Sequence, residues 1–230
     1  MNTLKPFFAS SLGKKYVMAV TGILLFGFVV MHLLGNLQVF MGSEQINDYG
    51  HFLKSKPLLV WGARLGLLVV VLLHIWSAIR LTAENKAARP IGYGEYKAVG
   101  ASYASRTMFM SGLIIAAFIV YHLLHYTALV PAVNLTGKDF GQLLDSKGHP
   151  DVYRMIVLGF SQVIVSVFYL IAMALLCLHL SHGLQSMFQS LGWKNRKYSG
   201  LISNFARLFS IVIFLGYASI PLAVLFGVLK

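Results

Sequence analysis

The chain has 230 residues and a formal net charge of +12 at pH 7, and it is 57% hydrophobic but only 11% charged. A domain of this size with so few charged side chains is too apolar to be soluble in water. A helix needs about 20 apolar residues to cross a bilayer, and five segments of the chain meet that requirement. We therefore predict an all-α integral membrane protein whose five transmembrane helices lie at about 15–40, 57–80, 106–131, 153–188 and 205–229.

The connections between these segments are short, which predicts a single transmembrane domain over residues 1–230. The first apolar run lacks a convincing small-residue cleavage site, so we interpret it as a retained helix and not as a signal peptide. A polar outer loop follows at 41–56, and residues 89–94 of the next, inner loop are typical of turns. The fourth segment is longer than a bilayer requires, and we expect it to tilt or to project beyond the membrane.

The positive charge is distributed unevenly between the two sides of the predicted bundle. Five of the seven acidic residues lie on the side opposite the N-terminus. The positive-inside rule therefore predicts a cytoplasmic N-terminus and an external C-terminus at Lys230. This distribution argues against nucleic acid as a partner, and the basic inner face suits anionic lipids or an acidic partner protein. Twelve of the nineteen basic residues lie on the N-terminal side: Lys5, Lys14, Lys15, Arg80, Lys86, Arg89, Lys97, Arg106, Lys194, Arg196, Lys197 and Arg207.

Four histidines lie inside four different apolar segments, at two predicted depths. His32 lies 17 residues after Lys15, which is about 25 Å of helix and places it toward the outer side. His74 lies only six residues, or about 9 Å, before Arg80 at the inner side. The same reasoning places the histidines of the third and fourth segments toward the outer and inner sides, respectively. An ionisable side chain within a membrane span is costly and usually has a function.

These depths pair His32 with His122, and His74 with His179. A haem with two histidine ligands needs two imidazoles at one height on facing helices, and the core of a helical bundle suits such a site. We therefore predict an outer and an inner bis-histidine haem b, and electron transfer across the bilayer. The alternative is that the four histidines form interhelical hydrogen bonds or serve as protonatable groups of a transporter.

Small residues near the predicted ligands would allow a flat porphyrin to approach the helices. Gly27 and Gly35 flank one predicted ligand, and Gly183 closely follows another. Gly62 and Gly66 form a small-xxx-small pair that can equally serve helix packing.

Two further histidines, His125 and His182, each follow a predicted ligand by three residues and lie about one helical turn away. Either could be the true ligand, but we expect both to approach the membrane surfaces and bond haem propionates, water or quinone. His51 and His149 lie in the outer loops, where a solvated surface position is the usual interpretation and proton transfer beside a quinol is the alternative. Candidates for binding propionates by height alone are Arg64, Arg106, Tyr121 and Lys15.

The fourth segment carries a motif that resembles a known family. Residues 179–192 (HLSHGLQSMFQSLG) are similar to the fourth helix of the cytochrome b membrane-anchor subunit of dihaem succinate dehydrogenases and fumarate reductases. The histidine that binds haem in this family, with Ser and Gly a few places on, matches His179. The stretches around the other three predicted ligands also look like family ligand sites, and the resemblance covers almost the whole chain.

The resemblance implies that the chain is one subunit of a succinate:quinone oxidoreductase complex in a bacterial cytoplasmic membrane. A flavoprotein subunit would interconvert succinate and fumarate, and an iron–sulfur subunit would dock on the cytoplasmic face of this anchor. Electrons would then pass through the two haems to a quinone, which is usually menaquinone in dihaem members. The haems would carry the redox chemistry, and the chain would supply their position and electrostatic environment.

One departure from the family pattern concerns the quinone site. Some fumarate reductases of the family have an essential glutamate near the start of the second helix, just before a Lys-Pro pair. The corresponding residues 51–57 (HFLKSKP) contain no acid. Glu44, Asp48 and His51 are alternatives between which the sequence does not discriminate.

Three other functions are compatible with part of this pattern. A cytochrome b anchor of a hydrogenase or formate dehydrogenase also uses buried histidines, but the motif at 179–192 fits it less well. A transporter with histidines as proton or metal sites predicts acidic residues within the spans, which contain almost none. A haem-free structural anchor predicts that His74→Ala leaves the optical spectrum unchanged.

Overall fold

The structure, a computed structural model, describes residues 4–88 and 103–230, and these residues form helices and turns without any β-strand. The turns predicted at 89–94 and the basic residues Arg89 and Lys97 lie outside the described residues. The helices in chain order are α1 (Leu4–Ala9), α2 (Ser11–Leu37), α3 (Ser43–Lys54), α4 (Pro57–Ala87), α5 (Tyr103–Arg106), α6 (Met108–Tyr126), α7 (Pro131–Asn134), α8 (Val152–Ser161), α9 (Val163–Ser190) and α10 (Ser199–Leu225).

Five of these helices are long and apolar enough to cross a membrane: α2, α4, α6, α9 and α10. This confirms the prediction of an all-α membrane protein with five transmembrane helices. A 3₁₀ turn at Gln38–Met41 continues α2, and α4 runs to Ala87 instead of ending near 80. The third span is shorter than predicted, because α6 ends at Tyr126 and Pro131 begins the separate helix α7.

The segment predicted as one span at 153–188 is two helices, α8 and α9, separated at Gln162. Gln162 has an extended backbone (φ −76°, ψ 106°), so helical hydrogen bonding is interrupted there. The hydroxyl group of buried Ser166 donates to the carbonyl of Phe160 at 2.6 Å, which satisfies an acceptor near the end of α8. The prediction of one continuous helix over 153–188 is therefore wrong, and α9, with 28 residues, is the part that is long enough to span a membrane. The expected tilt or projection stays a prediction.

The helix α9 lies at the centre of the bundle. It packs against α2, α6 and α10, whereas α4 packs mainly against α2. In the main apolar cluster, Tyr169 and Met173 of α9 pack with Phe118 of α6 and Val224 of α10. Many large apolar side chains on the spanning helices remain exposed, as expected where helices face lipid.

One end of the bundle, which we name the inner end, carries a buried ion pair between α2 and α4. The Lys14 side chain is only 2% exposed, and its Nζ lies 2.8 Å from Glu84 Oε1. The same ammonium group donates to the carbonyl of Ala9 at 2.6 Å. These contacts connect α1, α2 and the last turns of α4.

The opposite, outer end is organised by α3, which packs against α8. Buried Asn47 connects the two helices: its side-chain nitrogen donates to Asp151 at 3.1 Å, and its side-chain oxygen accepts from the backbone N–H of Tyr153 at 2.9 Å. Lys147, in the loop before α8, lies 2.9 Å from Glu44 and 3.1 Å from Asp48 of α3.

Candidate functional site

The inner histidine pair consists of His74 on α4 and His179 on α9. Their ring centroids are 6.5 Å apart and their ring planes are inclined by 59°. The helices α4 and α9 are not closely packed neighbours over the described residues. The two imidazoles therefore face each other across a space between helices and not within a tight helix–helix contact.

The outer pair consists of His32 on α2 and His122 on α6. Their ring centroids are 5.7 Å apart and the rings are nearly perpendicular, at 84°. Phenylalanines from the preceding turn stack on both rings, with Phe28 at 5.2 Å from His32 and Phe118 at 5.9 Å from His122. As at the inner level, the two helices are not closely packed neighbours over the described residues.

Hydroxyl groups on neighbouring helices contact the Nδ1 atoms of the inner pair. Thr21 Oγ1 lies 3.0 Å from His74 Nδ1, and Ser111 Oγ lies 3.3 Å from His179 Nδ1. Each hydroxyl donates its single proton to a carbonyl in the preceding turn of its own helix, at 2.7 Å and 3.1 Å, respectively. In the tautomer in which Nδ1 carries the proton, each hydroxyl accepts from Nδ1–H, and the Nε2 lone pair of both imidazoles is free. This is the tautomer that binds a metal through Nε2.

The two helices that carry these hydroxyl groups share a sequence pattern that our sequence reasoning missed. A hydroxyl residue, a glycine, nine further residues and a histidine occur in this order at 21–32 in α2 and at 111–122 in α6. Eleven residues of helix span about 16 Å, so on both helices the hydroxyl group marks the inner level and the histidine marks the outer level. A search for a common spacing before each histidine would have found the pattern.

The glycines of this pattern lie beside the inner rings. A Cβ atom at Gly22 would lie 3.8 Å from His74 Cε1, and one at Gly112 would lie 3.5 Å from His179 Cε1. A larger side chain at either position would therefore extend into the space around the imidazoles. Because these two glycines have no side chain, the space beside the inner imidazoles is open to a flat ring system.

The glycines singled out from the sequence have mixed surroundings. Gly35 faces Tyr49, whose ring carbon would lie 3.0 Å from an added Cβ, so this glycine accommodates a packing contact and not a cofactor. Gly27 and Gly183, near the predicted ligands, have open space where a Cβ would be. The pair Gly62 and Gly66 also has no neighbour within 4 Å, so the described residues show no helix packing there.

Comparison with known proteins identifies the family. The family described as the succinate dehydrogenase/fumarate reductase transmembrane subunit matches residues 86–216. This chain belongs to that family. No curated protein and no solved structure has significant similarity to the chain. The matched region contains His122 and His179, whereas His32 and His74 precede it.

Family membership confirms the resemblance seen in the fourth segment. The chain is a multi-pass membrane subunit of a succinate dehydrogenase or fumarate reductase. The match supports this assignment over a hydrogenase anchor, a formate dehydrogenase anchor or a transporter.

Of the further histidines in this transmembrane subunit, His125 lies one residue before the outer end of α6, and its expected approach to a membrane surface stays a prediction. Its side chain is fully buried, and its ring stacks on Tyr126 at a centroid distance of 3.9 Å. The packing of α6 against α9 encloses it, and its Nδ1 lies 3.1 Å from Tyr169 Oη. His182 is half-buried on α9, with its Nε2 3.0 Å from Ser186 Oγ, and its role toward propionate or quinone stays a prediction.

Three of the candidates chosen by height, Arg64, Arg106 and Tyr121, make their contacts away from the four paired histidines. Arg64 is exposed, and its guanidinium lies over the ring of Trp61 at 5.1 Å. Arg106 is exposed in α5. Tyr121 donates its phenol proton to the carbonyl of Val133 in α7 at 3.1 Å, so this proton is already used in a hydrogen bond. A propionate role for these residues stays a prediction.

The two outer-loop histidines contact each other. The rings of His51 on α3 and His149 in the loop before α8 stack at a centroid distance of 3.6 Å and an angle of 14°. His51 is exposed, whereas His149 is partly buried and its Nδ1 has no hydrogen-bond partner among the described residues. This contact joins α3 to the outer loop, which the sequence did not indicate.

Proposed function

We propose that this subunit passes electrons between an iron–sulfur subunit and menaquinone through two b-type haems, each bound by two histidines. The observation that carries the proposal is the pairing of four histidines at two levels, on helices that are distant in sequence. A single buried histidine has several explanations, whereas two facing pairs at different depths are best explained by two cofactors of the same kind.

The spacing of both pairs fits a metal ion between the rings. An imidazole nitrogen lies about 2 Å from a metal that it binds, so two rings on opposite sides of one metal have centroids roughly 6 Å apart. The observed centroid distances are 6.5 Å at the inner level and 5.7 Å at the outer level. These distances support His74 and His179 as ligands of the inner haem, and His32 and His122 as ligands of the outer haem.

A haem with two histidine ligands supplies one-electron redox chemistry and has no open iron position for oxygen. The chain itself holds the imidazoles in place. Thr21 and Ser111 orient the inner rings by accepting from Nδ1–H, and the glycines beside those rings leave space for a flat ring system. The two levels lie about 16 Å apart along α2 and α6, so electrons would move along the bundle from one level to the other.

The inner end would face the cytoplasm, as the positive-inside rule indicates. Lys15, Lys86, Arg196 and Lys197 are exposed at this end. Their positive charge suits an acidic face of the iron–sulfur subunit, which would deliver electrons from the flavoprotein subunit to the inner haem. The choice of menaquinone follows from the resemblance to dihaem members of the family.

The test is the haem content of the purified membrane complex, together with a reduced-minus-oxidised spectrum after succinate is added. We expect two b-type haems per chain, at least one of which is reduced by succinate. Two haems that do not respond to succinate, in a complex that still oxidises it, would contradict the proposed electron path. A complex without haem would contradict the cofactor assignment and support a structural anchor.

A further inference from the structure

The phenol group of Tyr169 lies between two histidines at the outer level. Tyr169 Oη is 3.3 Å from His122 Nδ1 and 3.1 Å from His125 Nδ1. The Tyr169 side chain is 7% exposed and His125 is fully buried, so water does not compete freely for these hydrogen bonds. The other outer histidine, His32, makes no side-chain hydrogen bond with the described residues. The cluster of His122, Tyr169 and His125 therefore contains the side-chain hydrogen bonds that the described residues make to the outer pair.

The direction of these hydrogen bonds follows from the number of protons. If His122 binds a metal through Nε2, its Nδ1 carries a proton and donates to the phenol oxygen. The phenol then donates its single proton to His125 Nδ1, the closer of the two ring nitrogens. The cluster thus forms a chain in which His122 donates to Tyr169 and Tyr169 donates to His125.

His125 is held in the tautomer that accepts this proton. With Nδ1 as the acceptor, its remaining proton is on Nε2, which has no partner among the described residues. A Cβ atom at Gly159 would lie 3.1 Å from this Nε2, so the glycine leaves space for the ring. A buried donor without a partner destabilises the fold, so a ring kept there is expected to serve its neighbours.

The outer level differs from the inner level in the group that accepts from the ligand. At the inner level, aliphatic hydroxyl groups contact both Nδ1 atoms and donate to backbone carbonyls of their own helices. At the outer level, a phenol accepts from one ligand and donates to a second imidazole. Hydrogen bonds in such a chain polarise one another, so donation to His125 makes the phenol oxygen a better acceptor for His122.

We propose that Tyr169, polarised by His125, is a positioning residue that orients His122 and lowers the midpoint potential of the outer haem. The inference rests on the proposed function, because it requires a haem on His122. A ligand histidine whose Nδ1–H is bound to a good acceptor becomes more basic and stabilises the oxidised metal. Removal of the acceptor therefore raises the potential of the outer haem, and the inner haem does not change.

The experiment is a redox titration of the haem spectrum in the intact complex, in wild type and in three variants. The outer haem is first identified as the one that His32→Ala removes. We expect Tyr169→Phe to raise the midpoint potential of that haem alone. His125→Phe should cause a smaller rise, because the phenol remains but loses its polarising partner.

The matched control is Tyr126→Phe. Tyr126 packs against Tyr169 at a ring centroid distance of 6.2 Å and lies in the same aromatic group, but its hydroxyl has no hydrogen-bond partner among the described residues. Removal of this hydroxyl should leave both potentials unchanged, so a general disturbance of packing is separated from loss of the hydrogen bond to His122.

Three outcomes would overturn the proposal: a Tyr169→Phe complex with two haems at wild-type potentials, an equal shift in the control, or a shift of the inner haem instead. If Tyr169→Phe fails to retain the outer haem, His125→Phe decides, and an unchanged potential there overturns the proposal. Each of these results leaves two haems in the wild-type complex, so the proposed function stands. Only a wild-type complex without haem removes the proposed function as well.

Discussion

At the scale of residues, the sequence and the structure give different information about the buried histidines. The depth of each histidine could be predicted from the sequence, because the rise of a helix is uniform. The hydrogen-bond partner of an imidazole could not, since Thr21 and His74 are 53 positions apart and their contact depends on how α2 and α4 pack. For the same reason, the burial of His125 beside Tyr169 could not be predicted from its position in the sequence.

Lys14 is a second residue whose surroundings the sequence does not reveal. It adjoins Lys15 in the sequence, yet Lys15 is exposed and Lys14 is buried against Glu84. A buried charge that loses its partner destabilises a protein more than replacement of that charge by an apolar side chain of similar size.

We therefore predict that Glu84→Gln lowers the Tm of the subunit more than Lys14→Met does. The first change leaves the buried ammonium group without its carboxylate, whereas the second removes the charge and keeps much of the volume. Thermal unfolding of the purified complex in detergent measures both values. Equal Tm values for Glu84→Gln and wild type would show that the ion pair does not stabilise the inner end.

At the scale of elements, the sequence predicted the existence of five spans, because an apolar run long enough to cross a bilayer is visible in composition. Their ends were less accurate: outside the fourth segment, they differ from the observed helix ends by up to seven residues, as at Ala87. The break between α8 and α9 was not predicted. It occurs at Ser161-Gln162, without a proline or glycine at the junction, and buried Ser166 donates to the carbonyl of Phe160 across it. The unusual length of the segment and the polar pair within it were the available signals.

We predict that Ser166→Ala destabilises the subunit by about 1–3 kcal/mol, because the buried carbonyl of Phe160 loses its hydrogen-bond donor. The matched control is Ser161→Ala. The Ser161 hydroxyl is exposed and bonds the Leu158 carbonyl within its own helix, so its removal should change stability by less than about 0.5 kcal/mol. Denaturant unfolding of both variants measures the difference, and equal effects would show that the serine cap is not what stabilises the break.

The outer loop has a pH dependence that follows from Asp145. Desolvation would raise the pKa of Asp145, but hydrogen bonds from the backbone N–H groups of His149 and Lys147, at 2.9 Å each, hold the pKa below its usual value. A lowered pKa means that the stabilisation is present above the unfolded value of about 3.9 and is lost as the pH falls through the folded value.

We predict that the amides of Lys147 and His149 remain protected from hydrogen exchange at neutral pH and lose protection in acid below about pH 4, after correction for intrinsic rates. Asp145→Ala should expose both amides already at neutral pH. Exchange followed by mass spectrometry in a lipid nanodisc measures this, and protection that persists in the variant would show that the carboxylate does not order the loop.

At the scale of the whole molecule, two layers of side chains recur along one bundle. The helices α2 and α6 each carry a hydroxyl group and a glycine at the inner level and a histidine at the outer level, while α4 and α9 supply the inner histidines. The two-level arrangement could be predicted from sequence, because each depth is set within one helix. The sequence did not predict which helices are neighbours. It also did not predict which side chains form hydrogen bonds to the histidines at each level, because both depend on how the helices pack.

The pattern of haem loss in single-histidine variants of the complex tests the central claim most directly. We predict that His32→Ala and His122→Ala each remove the same haem, and that His74→Ala and His179→Ala each remove the other. His182→Ala, one turn beyond an inner ligand, should retain both. A His179→Ala complex that keeps two full haems, or a pair of variants such as His32→Ala and His122→Ala that remove different haems, would contradict the account.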